Sequence, residues 1–259
     1  MAAAFNQQMK RLLHNLTSLN AHCIQEIFDL VSQDTLTKNI SQQLKTVQNV
    51  LKASPQKAAR TILRIAKNNL AMKSEFVAMR YLEDASPHPQ LRVHQIQKVV
   101  LNVLHAFFQD FTDHSVRVYV NDSPFTVLLD YDTFHVALYH VFDNATKYIM
   151  PNSELIVSFE AKDGRVKVVL DMLSLPISPQ ELARLGEEGF SGSLAIRLQL
   201  AGHGLGMFRT KRLLTVNRGL LNVQPNISPS KVIKHNGITY EYNRFVFSLL
   251  ESTREGRIG

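Results

Sequence analysis

The feature that most constrains the fold of this chain is a break at residues 86–89, which read Ser-Pro-His-Pro. Proline lacks a backbone N–H and clashes with the preceding turn, so Pro87 and Pro89 exclude one continuous helix across this point. Helical periodicity dominates before the break, and short alternating apolar segments follow it. We therefore expect a helical domain over residues 1–86, an α/β domain over residues 87–252 and a tail at 253–259.

The amino-terminal part predicts a helical hairpin. Its first helix carries apolar residues at spacings of three and four, a pattern typical of a bundle seam, at Leu12, Leu16, Leu19, Cys23, Ile27 and Leu30. His14 falls about opposite this stripe, with Ser18 one turn further on the same side. Ser54 and Pro55 predict the start of another long helix. Because narrow stripes on a lone hairpin leave apolar surface uncovered, we expect a homodimeric four-helix bundle.

Composition excludes several classes of protein. With 45% apolar and 20% charged residues, the chain of 259 residues is typical of a globular protein. The net charge of +7 comes from scattered basic residues, so we expect no nucleic-acid partner. No apolar run approaches the roughly 20 residues that span a bilayer, and the start lacks a signal-peptide pattern. With Cys23 as the single cysteine, we expect a cytoplasmic setting without direct membrane insertion.

The α/β domain predicts alternating helices and strands. We expect helices near 96–108, 132–149 and 204–216, and strands near 116–120, 125–129, 155–160, 166–170, 220–223 and 240–250. Such an order favours a mixed sheet with helices on one face, so the fold class is α+β.

A first candidate site follows Asp143 near the end of the helix over 132–149. The Asn144 amide oxygen can ligate Mg²⁺, which prefers hard oxygen ligands and phosphates. Lys147, one turn later on the same helix, can meet phosphate as a point charge. Taken alone, the segment is equally typical of a helix end with a cation near the dipole.

Two further segments follow in the chain. Asp171 ends an apolar strand, where its carboxylate could accept a hydrogen bond from the amine of adenine, although a turn-forming aspartate explains it as well. Residues 202–207 read Gly-His-Gly-Leu-Gly-Met and open a helix. Glycines let the backbone approach phosphate closely, and amides at a helix start attract anions.

Together these segments resemble the catalytic, ATP-binding domain of sensor histidine kinases, within the GHKL superfamily that includes DNA gyrase and the heat-shock and mismatch-repair ATPases. Residues 143–148 resemble the N box, which implies that Asn144 binds Mg²⁺ and that Lys147 and Tyr148 meet the nucleotide. Asp171 matches the adenine-recognising aspartate of the first glycine box. The second glycine box implies nucleotide contacts for Gly202, Gly204, Leu205 and Gly206. Residues 186–192, with Phe190, occupy the place of the F box and ATP lid.

Two positions depart from the family pattern in this domain. His140 stands where the family has a second polar residue, Asn or Glu, four positions before the N-box asparagine. Asp171 lacks the two glycines that normally follow it. The resemblance implies an α/β sandwich of the GHKL ATPase type preceded by a phosphoacceptor hairpin.

Residues 14–19 resemble the phosphoacceptor H box, which implies His14 as the phosphorylated residue. An imidazole nitrogen is a competent nucleophile toward a γ-phosphoryl group. Asn15 stands where the family has an acidic proton acceptor, and Ser18 stands where a small polar residue can orient water for dephosphorylation. His22, with Glu26 four residues on, is the rival phosphoacceptor.

The resemblance implies an ATP- and Mg²⁺-dependent protein-histidine kinase that phosphorylates His14 and donates the group to an aspartate on a response regulator receiver domain. One alternative is a histidine phosphotransfer or scaffold protein with a decayed nucleotide site, favoured by Asn15 and the missing glycines. Another is an ATPase of the same superfamily, for which His140 is the only notable candidate base.

Overall fold

The computed structural model describes residues 2–82 and 88–252, without the side chains of residues 2–8, Arg11 and Leu82. The chain divides into two compact units, Met1–Met79 and Arg80–Gly259. The boundary expected between residues 86 and 87 and the expected tail at 253–259 lie outside the described residues. In the part of the chain that is described, no helix is long and apolar enough to cross a bilayer.

The first unit is helical, as the sequence predicts. Its helices are α1 (Ala2–Leu30), α2 (Ile40–Ala53) and α3 (Pro55–Leu82, whose last residues belong to the second unit), with a 3₁₀ turn at Gln33–Thr37. Antiparallel pairing of α1 and α3 follows from their contacts. Asn15 meets Glu75, and further along α1 Glu26 meets Arg64. Leu12 and Cys23 of the predicted stripe are buried, whereas Ile27 is exposed.

The second unit is an α/β sandwich. Its strands are β1 (Leu91–Gln95), β2 (Arg117–Val120), β3 (Thr126–Asp130), β4 (Glu154–Lys162), β5 (Arg165–Ser174), β6 (Leu220–Gln224), β7 (Ile233–His235) and β8 (Ile238–Leu250). Its helices are α4 (Ile96–Leu104), α5 (Phe108–Asp113), α6 (Tyr131–Tyr148), α7 (Pro179–Arg184), α8 (Ser193–Arg197) and α9 (Gly206–Val216), with 3₁₀ turns at His105–Phe107 and Pro229–Lys231.

The main sheet has the order β2-β4-β5-β8-β6, with β2 parallel to β4 and the other pairs antiparallel. β1 pairs with β3 in a separate ribbon, and β7 pairs with β8. Alternate residues of β5 point to opposite faces. Val166, Val168 and Leu170 are fully buried on the inner face, where Phe134 of α6 meets Phe247 of β8 edge to face. The predicted mixed sheet with helices on one face is confirmed.

Two strands, the short helices α5, α7 and α8, and one helix break differ from the sequence prediction. β1 alternates between apolar and polar residues only over its first four residues, Leu-Arg-Val-His, which is too short a run to identify a strand from the pattern alone. β7 has three residues and reaches β8 through Asn236 and Gly237, both with positive φ, as an Asn-Gly hairpin turn requires. The helix expected over 96–108 is divided by the 3₁₀ turn at His105–Phe107.

Candidate functional site

A pocket opens at one end of the inner face of the sheet, beside α6. It encloses about 730 Å³, a volume that includes the solvent-filled space at its open mouth. Five elements or segments line it: α6, the end of β5, the stretch from α7 to α8, the start of α9, and β8. The lining comprises Val141, Asn144, Ala145, Tyr148, Met172, Ser174, Leu175, Pro176, Ile177, Glu181, Leu185, Phe190, Gly192, Leu194, Ala195, Met207 and Phe245.

The carboxyl-terminal turns of α6 supply the polar side of this pocket. Asn144 and Tyr148, four residues apart, both line it. Lys147 is not a lining residue, and its ammonium group forms an ion pair with Asp143 at 2.5 Å. Burial and the Asp143 carboxylate raise the pKa of Tyr148, so its hydroxyl stays protonated at neutral pH.

His140 lies one turn before Asn144. Burial, together with the positive charges of Arg209 and Lys147, lowers the pKa of His140 to about 3. The imidazole is therefore neutral at pH 7. Because the charges of Arg209 and Lys147 both lower this pKa, the two side chains lie close to this turn of α6. Two positive charges in one place favour the binding of an anion.

The glycine loop, residues 202–206, contributes its backbone rather than its side chains. A methyl group on Gly206 would lie 3.7 Å from both the Asn144 amide nitrogen and His140 Cβ, so the start of α9 lies against this turn of α6. Gly204 has φ +69°, and a Cβ there would lie 2.3 Å from the carbonyl carbon of Gly189. Gly202 has open space around it, and Leu205 lies directly before α9.

Buried polar contacts hold α9 against α6. The Asn217 side chain, at the end of α9, accepts a hydrogen bond from the Asp130 amide at 2.7 Å and donates one to Thr133 Oγ1 at 2.7 Å. Thr210 Oγ1 donates to the Ala137 carbonyl at 3.3 Å. Because α9 starts at the glycine loop, these bonds fix the loop relative to Asn144.

Asp171 does not join the other predicted residues. Both of its carboxylate oxygens accept hydrogen bonds from Arg244, its register partner on β8, at 2.7 Å. It shares the outer face of the sheet with Lys167 and Val169, whereas Met172 and Ser174 face the pocket. The expectation that Asp171 meets adenine in this pocket is therefore corrected, because the strand turns its carboxylate to the opposite face.

The lid segment, residues 185–205, is held by its own contacts. Glu181 accepts hydrogen bonds from the Ser193 amide and hydroxyl, each at 2.8 Å. The amide of Gly189 donates to the Gly204 carbonyl at 3.2 Å, and Arg184 lies over the Phe190 ring. The apolar cluster beneath α8 includes Leu173, Leu175, Ala195, Met150 and Tyr240. Leucines 173 and 175, at the positions expected to hold glycines after Asp171, thus anchor the lid segment.

The predicted phosphoacceptor lies in the first unit. His14 is exposed on α1 and Ser18 is half-buried. The Asn15 amide group donates to Glu75 Oε1 on α3 at 3.4 Å. His22, the rival, is also exposed.

Among the described residues, no group of three or more His, Cys, Asp or Glu side chains could hold a metal ion.

No protein-family model matches the sequence. Curated relatives are sensor proteins: CiaH of Streptococcus pneumoniae is 23% identical over 207 residues, covering 75% of this chain and 47% of CiaH. The sensor histidine kinase CusS of Escherichia coli is 21% identical over 240 residues, covering 90% of this chain and 48% of CusS. The chain thus spans about half the length of the curated relatives it matches.

Solved structures with a similar fold are histidine kinases. Full-length ShkA in complex with AMPPNP has a TM-score of 0.57 at 18% identity, covering 96% of this chain and 46% of ShkA. The mycobacterial sensor histidine kinase MprB has a TM-score of 0.52 at 20% identity, covering 62% of this chain and 97% of that structure. These comparisons confirm both the resemblance to sensor histidine kinase cores and the predicted fold class.

Met172, Ser174 and Glu181 are among the pocket residues that the sequence reasoning missed. A signal for Met172 exists in the alternation along β5, where Lys167 marks the outer face and places Asp171, four residues on, on that same face. Glu181 has a weaker signal, since Ser178 and Glu181 form a capping box at the start of α7.

Proposed function

We propose that the chain is the core of a protein-histidine kinase that uses a nucleoside triphosphate and Mg²⁺ to phosphorylate His14. The observation that supports this is the meeting of Gly206 with Asn144 and His140, beside the charges of Lys147 and Arg209. A backbone without side chains, an amide oxygen and two cations are the groups that a polyphosphate needs. We name this region the phosphate side of the pocket, and the region of Met172, Ser174, Ile177 and Phe245 the base side.

The phosphate side would orient the triphosphate rather than take part covalently. Asn144 would bind Mg²⁺, which neutralises charge on the phosphates, and Lys147 would move from Asp143 to meet them. Tyr148 would contact the nucleotide from the next turn of α6. Gly202, Gly204, Leu205 and Gly206 would bring backbone amides near the phosphates. Phosphoryl transfer depends chiefly on such positioning and charge stabilisation.

His14 would act as the nucleophile. Its ring nitrogen would form a bond to the γ-phosphorus as the bond to the β,γ-bridging oxygen breaks, and ADP would leave. The proton of the other ring nitrogen would pass to water, because Asn15 is an amide and accepts no proton. Ser18, one turn away, would orient a water molecule for dephosphorylation, in which the phosphoryl group passes to water as inorganic phosphate. An aspartate of a response regulator receiver domain would receive the group.

Incubation with γ-labelled ATP and Mg²⁺ tests this function. Wild type should acquire an acid-labile, base-stable label, His14→Gln should acquire none, and both should bind ATP equally. His22→Gln is the matched control and should be labelled like wild type. A label that persists in His14→Gln and vanishes in His22→Gln would move the phosphoacceptor to His22.

Asn15 offers a sharper test of proton transfer. A carboxylate there should accelerate labelling, since general-base assistance typically contributes about 10²–10⁴-fold. Asn15 donates a hydrogen bond to Glu75, so an aspartate at position 15 would lie beside a second carboxylate. Repulsion between the two negative charges would disfavour the ionised form of that aspartate. The comparison should therefore include Asn15→Asp combined with Glu75→Gln, which we expect to be the faster variant. Equal rates in wild type and both variants would contradict a limiting proton transfer.

A second candidate function is histidine phosphotransfer without nucleotide. The pairing of Asp171 with Arg244 outside the pocket favours it, since the base side then lacks a carboxylate. In that case a phosphorylated receiver domain should label His14 in the absence of ATP, and γ-labelled ATP should label no variant. These two outcomes separate the candidates.

The first unit would form a homodimer. Apolar residues stay exposed along α1, α2 and α3, among them Leu13, Ile24, Ile27, Ile40, Leu44 and Ile62. Leaving such surface in water costs about 25 cal/mol per Å². Light scattering at tens of micromolar should give twice the mass of the chain, and a monomer mass would contradict the dimer. The buried free thiol of Cys23 suits a reducing cytoplasm.

A further inference from the structure

The base side of the pocket presents a thioether where base recognition would need a charged acceptor. Met172 is 2% exposed and lines the pocket between α6 and β8. Asp171, its neighbour, is turned to the outer face and engaged by Arg244 with both oxygens. Moving Asp171 into the pocket would require a one-residue slip of β5, which would turn every buried residue of that strand to the wrong face.

The remaining carboxylate of the pocket is already engaged. Glu181 caps α7, accepting from the Ser178 amide at 3.0 Å, and also accepts two hydrogen bonds from Ser193. Burial works to raise the pKa of Glu181, but these hydrogen bonds outweigh it and leave that pKa below its ordinary value. The Glu181 carboxylate oxygens accept hydrogen bonds from the lid segment, so a ligand that bound them would break those hydrogen bonds.

Ser174 lies two residues after Met172 on the inner face of β5 and lines the pocket. Its hydroxyl oxygen accepts a hydrogen bond from the fully buried Asn243 at 2.9 Å. A hydroxyl that accepts one bond retains a proton to donate and a lone pair. It can therefore donate to a carbonyl or accept from an amine. Tyr148, also protonated, has the same versatility.

We propose, building on the nucleotide site described above, that the base side accepts purine rings without preference for adenine. A buried carboxylate would accept from the adenine amine and repel the carbonyl that guanine carries at the same position. Met172 does neither, since a thioether is only a weak acceptor. Ser174 and Tyr148 can satisfy either group, and the apolar walls recognise ring shape alone. Guanine and hypoxanthine nucleotides are thus ligands of this site.

Calorimetric titration of the full chain with ATP, GTP and ITP, each with Mg²⁺, tests the proposal. Apolar pockets discriminate modestly, whereas sites with a dedicated hydrogen-bonding group reject analogues by about 10⁴-fold or more. We expect the three dissociation constants to agree within about tenfold. ATP binding tighter than GTP by about 100-fold or more would overturn the proposal while leaving the nucleotide site intact. Binding of none of the three at millimolar concentration would overturn the nucleotide site and this proposal together.

Two neighbouring substitutions make the test specific. Met172→Asp should raise the preference for ATP over GTP by at least about tenfold, because it supplies the missing acceptor. Met172→Asn, similar in size to aspartate but able both to donate and to accept a hydrogen bond, should leave the ratio unchanged, so a shift in Met172→Asp alone reports the carboxylate. Asp171→Asn is the matched control, one position away on the outer face, and should leave the ratio unchanged. A preference for ATP that disappears in Asp171→Asn would overturn the proposal.

Discussion

The phosphate side and the base side of the pocket are built from different kinds of sequence. On the phosphate side, Asn144 lies on a helix and Gly206 begins another, so each group is placed by a short local segment. On the base side, Met172 and Ser174 are selected by which face of β5 each side chain takes. The comparison teaches that local helix and turn motifs place the groups on one side of the pocket, while strand register selects the side chains on the other.

The largest expected effect is on the phosphate side. Asn144→Ala removes the proposed metal ligand from α6 and should weaken Mg²⁺-dependent ATP binding by about 10- to 100-fold, a loss comparable with that of a hydrogen bond to a charged group. Asp171→Asn, on the outer face, should leave the affinity unchanged. Titration with a fluorescent ATP analogue measures both. Equal losses in the two variants would abolish the distinction between the two sides.

Gly204→Ala tests how the glycine loop joins the lid segment. The Cβ would meet the Gly189 carbonyl carbon at 2.3 Å, in a backbone conformation of positive φ. Forcing an L residue there costs about 1–2 kcal/mol, and displacement of the lid adds to it. We expect a lower thermal midpoint and weaker ATP binding.

Gly202→Ala is the control for that substitution within the same loop. It has open space and a backbone conformation without positive φ, so it should change the midpoint little. A Gly204→Ala protein as stable as Gly202→Ala would mean that the loop and the lid segment are not tightly joined.

The smallest expected effect concerns pH and His140. Its folded-state pKa of about 3 lies below the ordinary value of 6.5. Between about pH 6.5 and pH 3, His140 is therefore protonated in the unfolded chain and neutral in the folded chain. The free energy of unfolding should be insensitive to this group above pH 6.5 and fall as pH drops through that window.

Urea unfolding at pH 7.5 and pH 5 measures the effect. His140→Gln should lose less stability than wild type between the two values. His203→Gln, at an exposed position of the glycine loop, should lose as much as wild type. Burial also lowers the pKa of His94, so only the difference between wild type and variant reports His140. An equal loss of stability in wild type and His140→Gln would contradict the lowered pKa of His140.

Several features follow from the sequence alone because their causes are local. The prolines at 87 and 89, the helical stripe that includes Leu12 and Cys23, and the glycine loop that opens α9 rest on backbone chemistry and periodicity within a few residues. The N-box segment is of the same kind, since Asn144 and Tyr148 meet the pocket through helical spacing. The resemblance of the chain to histidine kinase cores depends on these segments and their order.

Tertiary structure decided what depends on partners far along the chain. The face that Asp171 takes is fixed by pairing with Arg244, 73 residues away. Apart from the hint given by Lys167, the sequence of the strand does not indicate which of its two faces will be covered by other elements. Hydrogen bonds between Asn217 and Asp130, and between Glu181 and Ser193, likewise join separate elements. The sequence by itself determined the elements and their motifs, whereas only the packed sheet decided that Met172, not Asp171, faces the pocket.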